Sequence, residues 1–344
     1  MHSKTTEPTR LPWGTIIGIL LLGALALMLY ANRHEVEEAL RLLREARPMW
    51  LALAVACVAA GFICAGQIYG RVLAALGHTA SVGWLTSAAM VTILINQAVP
   101  AGSVAAYAFL VASLRRRGFP VGSVTAVAGL ELISWNIAVI LAFTYGLGFL
   151  LVTTGLSGAS ISYTALAAAV GVLATVTYVA SRPDDTLHDW SLRIKWLVNR
   201  VFGPIWTIGQ VRQVMDEILA SRRMILEQPR RMVVLVLLQL TVFTFHSLAL
   251  DMILRALGLP APVLAVLAAY GLALIVSVFT LLPGGGGTVE AALTVALASQ
   301  GVPIEAALGA AVLFRLISFW MLLPLGALCY RALTSSRRKP GPPA

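Results

Sequence analysis

Apolar residues in this chain come in long unbroken runs, not in the alternating or one-faced patterns of water-soluble strands and helices. The runs cover residues 13–31, 49–69, 82–99, 101–114, 121–152, 159–180, 232–254, 262–282, 288–298 and 304–330. A helix rises about 1.5 Å per residue, so roughly 20 residues cross a ~30 Å hydrocarbon layer, and most of these runs are long enough. The pattern predicts an all-α polytopic membrane protein with about six full transmembrane helices, because only helices and closed barrels satisfy their backbone in lipid. Trp13 and Tyr30 bracket the first run like interface anchors. A signal peptide is the alternative there, but the apolar core exceeds the ~7–15 residues of a signal segment.

Two runs do not fit a plain span. Residues 101–114 come straight after Pro100 and include Gly102, and residues 288–298 follow Pro283 and the four glycines Gly284, Gly285, Gly286 and Gly287. Proline lacks the amide hydrogen and glycine lacks restraint, so the helix should break at each site while inside the bilayer. Backbone broken at that depth survives only where protein or a water-filled cavity satisfies it. Residues 82–114 and 262–298 therefore read as two re-entrant helical hairpins, with Pro100, Gly102 and Pro283 at the gating breaks.

The polar stretches are short. Residues 33–47 place Val36, Leu40 and Leu43 at helical spacing among mixed charges, as in a helix lying on the membrane surface. Residues 181–231 hold nine basic and six acidic residues, with Trp190, Ile194, Leu197, Val198 and Val201 on one helical face, and read as a cytoplasmic amphipathic loop. The basic, then Pro/Gly-rich tail 332–344 should be disordered. Residues 1–344 thus form a single integral membrane domain.

Composition agrees with this reading: 59% of the 344 residues are hydrophobic and only 12% are charged, against ~25% charged in an ordinary soluble domain. The net charge of +10 bears on orientation and anionic headgroups; no zinc or nucleic-acid motif accompanies it, so no nucleic-acid partner is expected. If each hairpin returns to the side it came from, nineteen basic residues fall on one face and five on the other, with Arg315 left in the membrane. The positive-inside rule then puts both termini in the cytoplasm, consistent with a bacterial inner membrane. Cys57, Cys64 and Cys329 all lie in apolar runs and make no metal-ligand set, and no cofactor or metal is expected.

The two hairpins can be laid over each other. Pro100 precedes Pro120 by twenty positions, as Pro283 precedes Pro303, and Gly118 falls on Gly301. After one inserted residue, Glu131–Leu132–Ile133–Ser134–Trp135 falls on Arg315–Leu316–Ile317–Ser318–Phe319. Repeat 1 covers residues 82–152 and repeat 2 residues 262–331. With the topology above the copies are inverted, the architecture of alternating-access transporters with the substrate between the copies.

Glu131 and Arg315 are the deep intramembrane charges, at equivalent positions with opposite sign. One reading makes them a salt bridge that locks the halves; the other has them line a polar cavity and contact a lipid headgroup. Both predict that the two lie near each other. Glu290, three residues past the glycine run, is either favourable helix-start electrostatics or a headgroup and gating contact. Gly284 to Gly287 expose amides that suit an anion, or simply permit close packing. Asn96 and Gln97 either satisfy backbone freed by the break or contact substrate. Gln239 and His246 share a helical face and suit an interhelical contact better than a proton relay, and Asp251, near a helix end, should be interfacial.

The segment 281–303, followed by Arg315 in Leu-Phe-Arg-Leu-Ile-Ser-Phe-Trp, resembles the flippase-like transmembrane region of lysylphosphatidylglycerol synthases. Pro283, Gly284, Gly285, Gly287 and Glu290 fit that family's Pro-Gly-Gly-x-Gly-x-x-Glu pattern. The first repeat departs from it, with Ser103, Val104 and Tyr107 where relatives often carry glycine and a basic residue. The resemblance implies movement of a phospholipid, a hopanoid or another polyisoprenoid-derived lipid between leaflets. It also implies a stand-alone member, without the aminoacyltransferase domain that follows the membrane region in bifunctional relatives. Two other readings stand beside it: an integral-membrane enzyme on lipid-linked substrates, for which no catalytic cluster is evident, and a non-transporting partner of a separate lipid-modifying enzyme. A homo-oligomer is compatible with each.

Overall fold

The computed structural model describes residues 46–98, 102–154, 229–279 and 287–335, together with Arg41, Arg44 and five separate positions between 186 and 196. Met1–Glu45 and Ala46–Ala344 are two compact units, and every helix named below belongs to the second. The expected span at 13–31, the surface helix at 33–47 up to residue 45, the span at 159–180 and the loop up to residue 228 lie outside the described residues, apart from those isolated positions.

Described residues form helices throughout: α1 Pro48–Ala75, α2 Val82–Ala98, α3 Gly102–Arg116, α4 Val121–Thr154, α5 Pro229–Ala256, α6 Val263–Phe279, α7 Thr288–Ala298, α8 Ile304–Arg315, a π-helical turn Leu316–Trp320, and α9 Leu322–Ser335. Four stretches, Pro48–Ala75, Val121–Thr153, Pro229–Ala256 and Ile304–Thr334, are long and apolar enough to cross a membrane. Shorter apolar helices join them. This is a polytopic all-α membrane protein. Many large apolar side chains, among them Leu53, Ile63, Leu141, Val152, Leu237 and Leu328, face outward, as a bundle solvated by lipid requires. The tail differs from expectation at its start, since α9 continues through residues 332–335.

The chain passes twice through one order of helix lengths and turns. α1 and α5 are each 28 residues, α2 and α6 each 17. The turns between them share their closing bonds. After α1, Gly77 takes φ +77° and the His78 amide reaches back to the Leu73 carbonyl at 2.9 Å; after α5, Gly258 takes φ +76° and the Leu259 amide reaches Leu254 at 2.9 Å. A second pair follows α3 and α7, where Gly118 (φ +91°) and Gly301 (φ +89°) precede amides donated by Phe119 to Leu114 and by Val302 to Leu297, both at 3.3 Å. Each is a helix C-cap in which glycine adopts the left-handed conformation that an L side chain resists. The correspondence thus reaches back over α1 and α5, where the sequence shares little beyond Ala75–Leu76–Gly77 and Ala256–Leu257–Gly258.

α1 and α5 pack along each other and run antiparallel. The Arg47 amide, before α1, donates to the Ala256 carbonyl at the end of α5 (3.0 Å), and Arg255 lies over the Trp50 ring at 5.6 Å. At the other end, Arg71 of α1 shares a cleft with Arg230 and Arg231 of α5. Around this pair the last helix of each half packs on the second helix of the other: α4 on α6, and α9 on α2. On the first of these contacts a Cβ at Gly146 would meet the Ala268 carbonyl oxygen, and one at Gly271 the Ala142 carbonyl oxygen. Backbones approach this closely only through small residues, the usual device for helix association in lipid. The first hairpin closes on itself, with Arg117 after α3 stacked 4.6 Å over Trp84 at the start of α2.

Candidate functional site

Arg315 ends α8 with its side chain almost wholly buried. Its Nε donates to Glu290 Oε1 at 2.8 Å, and its Nη1 donates to the side-chain oxygen of Gln97 at 2.9 Å. The guanidinium lies 4.9 Å from the centre of the Phe319 ring, one turn on. Glu290 stands in the first turn of α7, just past Gly287, and Gln97 stands one residue before the end of α2. One side chain therefore ties the end of α2 in the first hairpin to the start of α7 in the second. The rigid fork of guanidinium donors makes such a double attachment feasible.

Local sequence explains why the arginine is presented there. Pro324 has no amide hydrogen for the Trp320 carbonyl, and its ring crowds that position. The helix accommodates this with the π turn Leu316–Trp320, in which the Met321 amide reaches Leu316 at 2.8 Å. On the opposite side, Gly287 at φ +81° turns the chain into α7 and accepts the Ala291 amide at 2.8 Å, setting Glu290 to face inward. Glu290 is 6% exposed, yet its Oε2 has no hydrogen-bond partner among the described residues. A buried carboxylate oxygen left in this way carries a desolvation cost that no described group offsets.

The ion pair differs from the sequence expectation. Arg315 bonds Glu290 within the second half of the chain, whereas Glu131 makes no ion pair among the described residues. Glu131 sits half-buried on α4 within electrostatic reach of the Tyr69 hydroxyl of α1, and Thr92 of α2 lies close to that hydroxyl. The equivalence of positions 131 and 315 does not make them partners, because each faces the helices of its own surroundings. Asn96 is exposed at the end of α2. Gly102 opens α3 and Gly287 precedes α7, while Pro100, Pro283, Gly284, Gly285 and Gly286 lie outside the described residues. Asp251, expected at the interface, is buried at 1% exposure and paired with Arg255 at 2.8 Å.

An aromatic row leads from the arginine across the bundle. Tyr270 of α6, within electrostatic reach of Arg315, meets Phe314 edge-on at 5.9 Å and stacks with His246 of α5 at 6.3 Å; His246 meets Phe62 of α1 at 5.9 Å. His246 Nδ1 bonds the Val242 carbonyl at 2.9 Å, so its contacts are interhelical packing plus a local backbone bond. A Cβ at Gly61 would strike this ring, which explains the glycine in α1. Tyr69, Thr92 and Tyr270 escape a reading of the sequence, since uncharged polar residues in apolar runs stand out only once their neighbours are known.

A profile described as the lysylphosphatidylglycerol synthase transmembrane region matches residues 15–326. A UPF0104 membrane protein of Methanothermobacter thermautotrophicus is 28% identical over 117 residues, which are 34% of this chain and 35% of that protein. A second match to a UPF0104 membrane protein of the same organism is 34% identical over 100 residues, 28% of this chain and 30% of that protein. These alignments span about a third of each relative's length. The family profile, by contrast, covers three of the four long stretches whole, most of the fourth and both hairpins, and on that ground the chain belongs to the family of the lysylphosphatidylglycerol synthase transmembrane region.

Proposed function

We propose that this protein moves a phospholipid or related amphiphilic lipid between leaflets. Its headgroup would pass through a polar path between two re-entrant hairpins while its acyl chains stay in the bilayer. The observation that carries this reading is the Arg315 link, which joins Gln97 of the first hairpin to Glu290 of the second and leaves one buried carboxylate oxygen without a partner among the described residues. A headgroup phosphate offers a guanidinium the same bidentate geometry as a carboxylate. A phosphate exchanging for Glu290 or Gln97 on Arg315 uncouples the tips, and expulsion of the phosphate couples them again. The link is thus lock and binding group at once, and the breaks that the sequence predicts at Pro100, Gly102 and Pro283 would supply the hinges. On this reading the chain transports and does no covalent chemistry. The arginine-rich end of the described bundle, with Arg71, Arg115, Arg116, Arg117, Arg230 and Arg231, faces the cytoplasm of a bacterial inner membrane, in keeping with the positive-inside rule.

The test is a leaflet assay in proteoliposomes with fluorescent phospholipids and a membrane-impermeant quencher. The wild type is expected to expose inner-leaflet probe at a protein-dependent rate, and Arg315→Gln to abolish that rate. Removing one member of a buried pair costs about 3–5 kcal/mol, so the double variant Glu290→Gln/Arg315→Gln, which leaves no lone charge, serves as the folded control. A well-folded double variant that moves lipid at the wild-type rate refutes the assignment.

A further inference from the structure

Away from this site, the antiparallel pair α1–α5 leaves a cleft of about 290 Å³ at the arginine-rich end of the bundle. Its walls are apolar, formed by Val72, Ala75 and Leu76 of α1, Leu130 of α4, and Met232 and Leu235 of α5, while Arg71, Arg230 and Arg231 stand around it. All three arginines are exposed, and none is ion-paired among the described residues. The helix dipole does not account for Arg230 and Arg231, since a first turn disfavours cations. Exposed arginines around an apolar wall match an external anion that also carries apolar surface.

We infer that this cleft binds one anionic phospholipid of the adjoining leaflet, its phosphate held by Arg71, Arg230 and Arg231 and an acyl chain lying against Val72, Leu130 and Leu235. Basic pockets between membrane helices on the cytoplasmic side take such headgroups. Three arginines converge on a phosphate from two helices, so a bound lipid also bridges α1 to α5, the pair on which the two halves meet. The charge selects anionic over zwitterionic headgroups, and the apolar wall selects a lipid over free phosphate. This site is independent of the translocation reading, because it needs neither Arg315 nor any movement of the hairpins.

The experiment is native mass spectrometry of the full-length protein released from detergent, titrated with phosphatidylglycerol or phosphatidylcholine of matched chains. One phosphatidylglycerol is expected to be retained at least tenfold more tightly than phosphatidylcholine, and inorganic phosphate at millimolar concentration should not displace it. The variant Arg71→Gln/Arg230→Gln/Arg231→Gln should lose that preference. So should Ala75→Trp, which fills the cleft and keeps every charge. Equal binding of the two lipids, undiminished binding in both variants, or displacement by phosphate alone overturns the inference. Thermal unfolding of each variant separates lost binding from lost fold, and a protein inactive in the leaflet assay can still pass this test.

Discussion

Arg315 stands between two acceptors that come from different halves of the chain, and this makes its identity as an arginine testable apart from its charge. Lysine carries the charge but no planar fork, so Arg315→Lys should keep the pair with Glu290 and lose the bond to Gln97. Its thermal stability in detergent should fall by no more than about 1.5–3 kcal/mol, the worth of a hydrogen bond from a charged donor. Lipid movement, if the coupled tips control it, should change severalfold. Glu290→Gln alone should lower stability, because it takes the carboxylate out of a buried charged pair. At this scale the sequence marks out which residues are unusual, since a charge in a long apolar run is visible without coordinates. It does not say who pairs with whom. Glu131 and Arg315 share a repeat position, yet the partner of Arg315 is Glu290, brought to it by a left-handed Gly287 and a π turn that leave no trace in hydrophobic periodicity.

Among the elements, the helix that carries Arg315 depends on a proline nine positions further along the same apolar run, Pro324. Pro324→Ala restores the missing amide and allows regular α-helix through 316–320. The prediction is unchanged or raised thermal stability with reduced lipid movement, because closing the π turn rotates α8 against α9. Arg315 and Gly326 cannot then both keep their places, the first on Gln97 and the second against Leu94 of α2. Equal transport in a variant of equal stability would disconnect the π turn from the site. The α4–α6 contact gives a complementary test of stability. Gly271→Leu puts a branched side chain where even a Cβ meets the Ala142 carbonyl, and overpacking of this kind costs roughly 1–3 kcal/mol or more. The bounds of the short helix Thr288–Ala298 could be read directly from the glycine run and the Ser-Gln-Gly that follows it. The π turn could not, since one extra residue in a turn leaves an all-apolar helix all-apolar.

For the whole molecule, membrane class and family were legible because hydrophobic run length is a direct physical requirement of the bilayer. The correspondence of α1 with α5 was hidden, because a helix facing lipid and partner helices tolerates almost any apolar residue and only its capping glycine is constrained. The consequence is topological. If α1 and α5 run antiparallel, as the Arg47–Ala256 bond requires, the turn after α1 and the turn after α5 must emerge on opposite sides of the membrane. Those turns end in His78 and Leu259, next to Gly77 and Gly258. In a background where Cys57, Cys64 and Cys329 are serine or alanine, His78→Cys and Leu259→Cys can be labelled in intact cells and in inverted vesicles with an impermeant maleimide. The 78 position should react only from the face that carries Arg71 and Arg115–Arg117, and the 259 position only from the other. Reaction of both from one face would mean that the two halves are parallel. An inverted pair of gates could not then operate on a lipid from opposite leaflets, and the translocation reading would lose its mechanism whatever Arg315 binds.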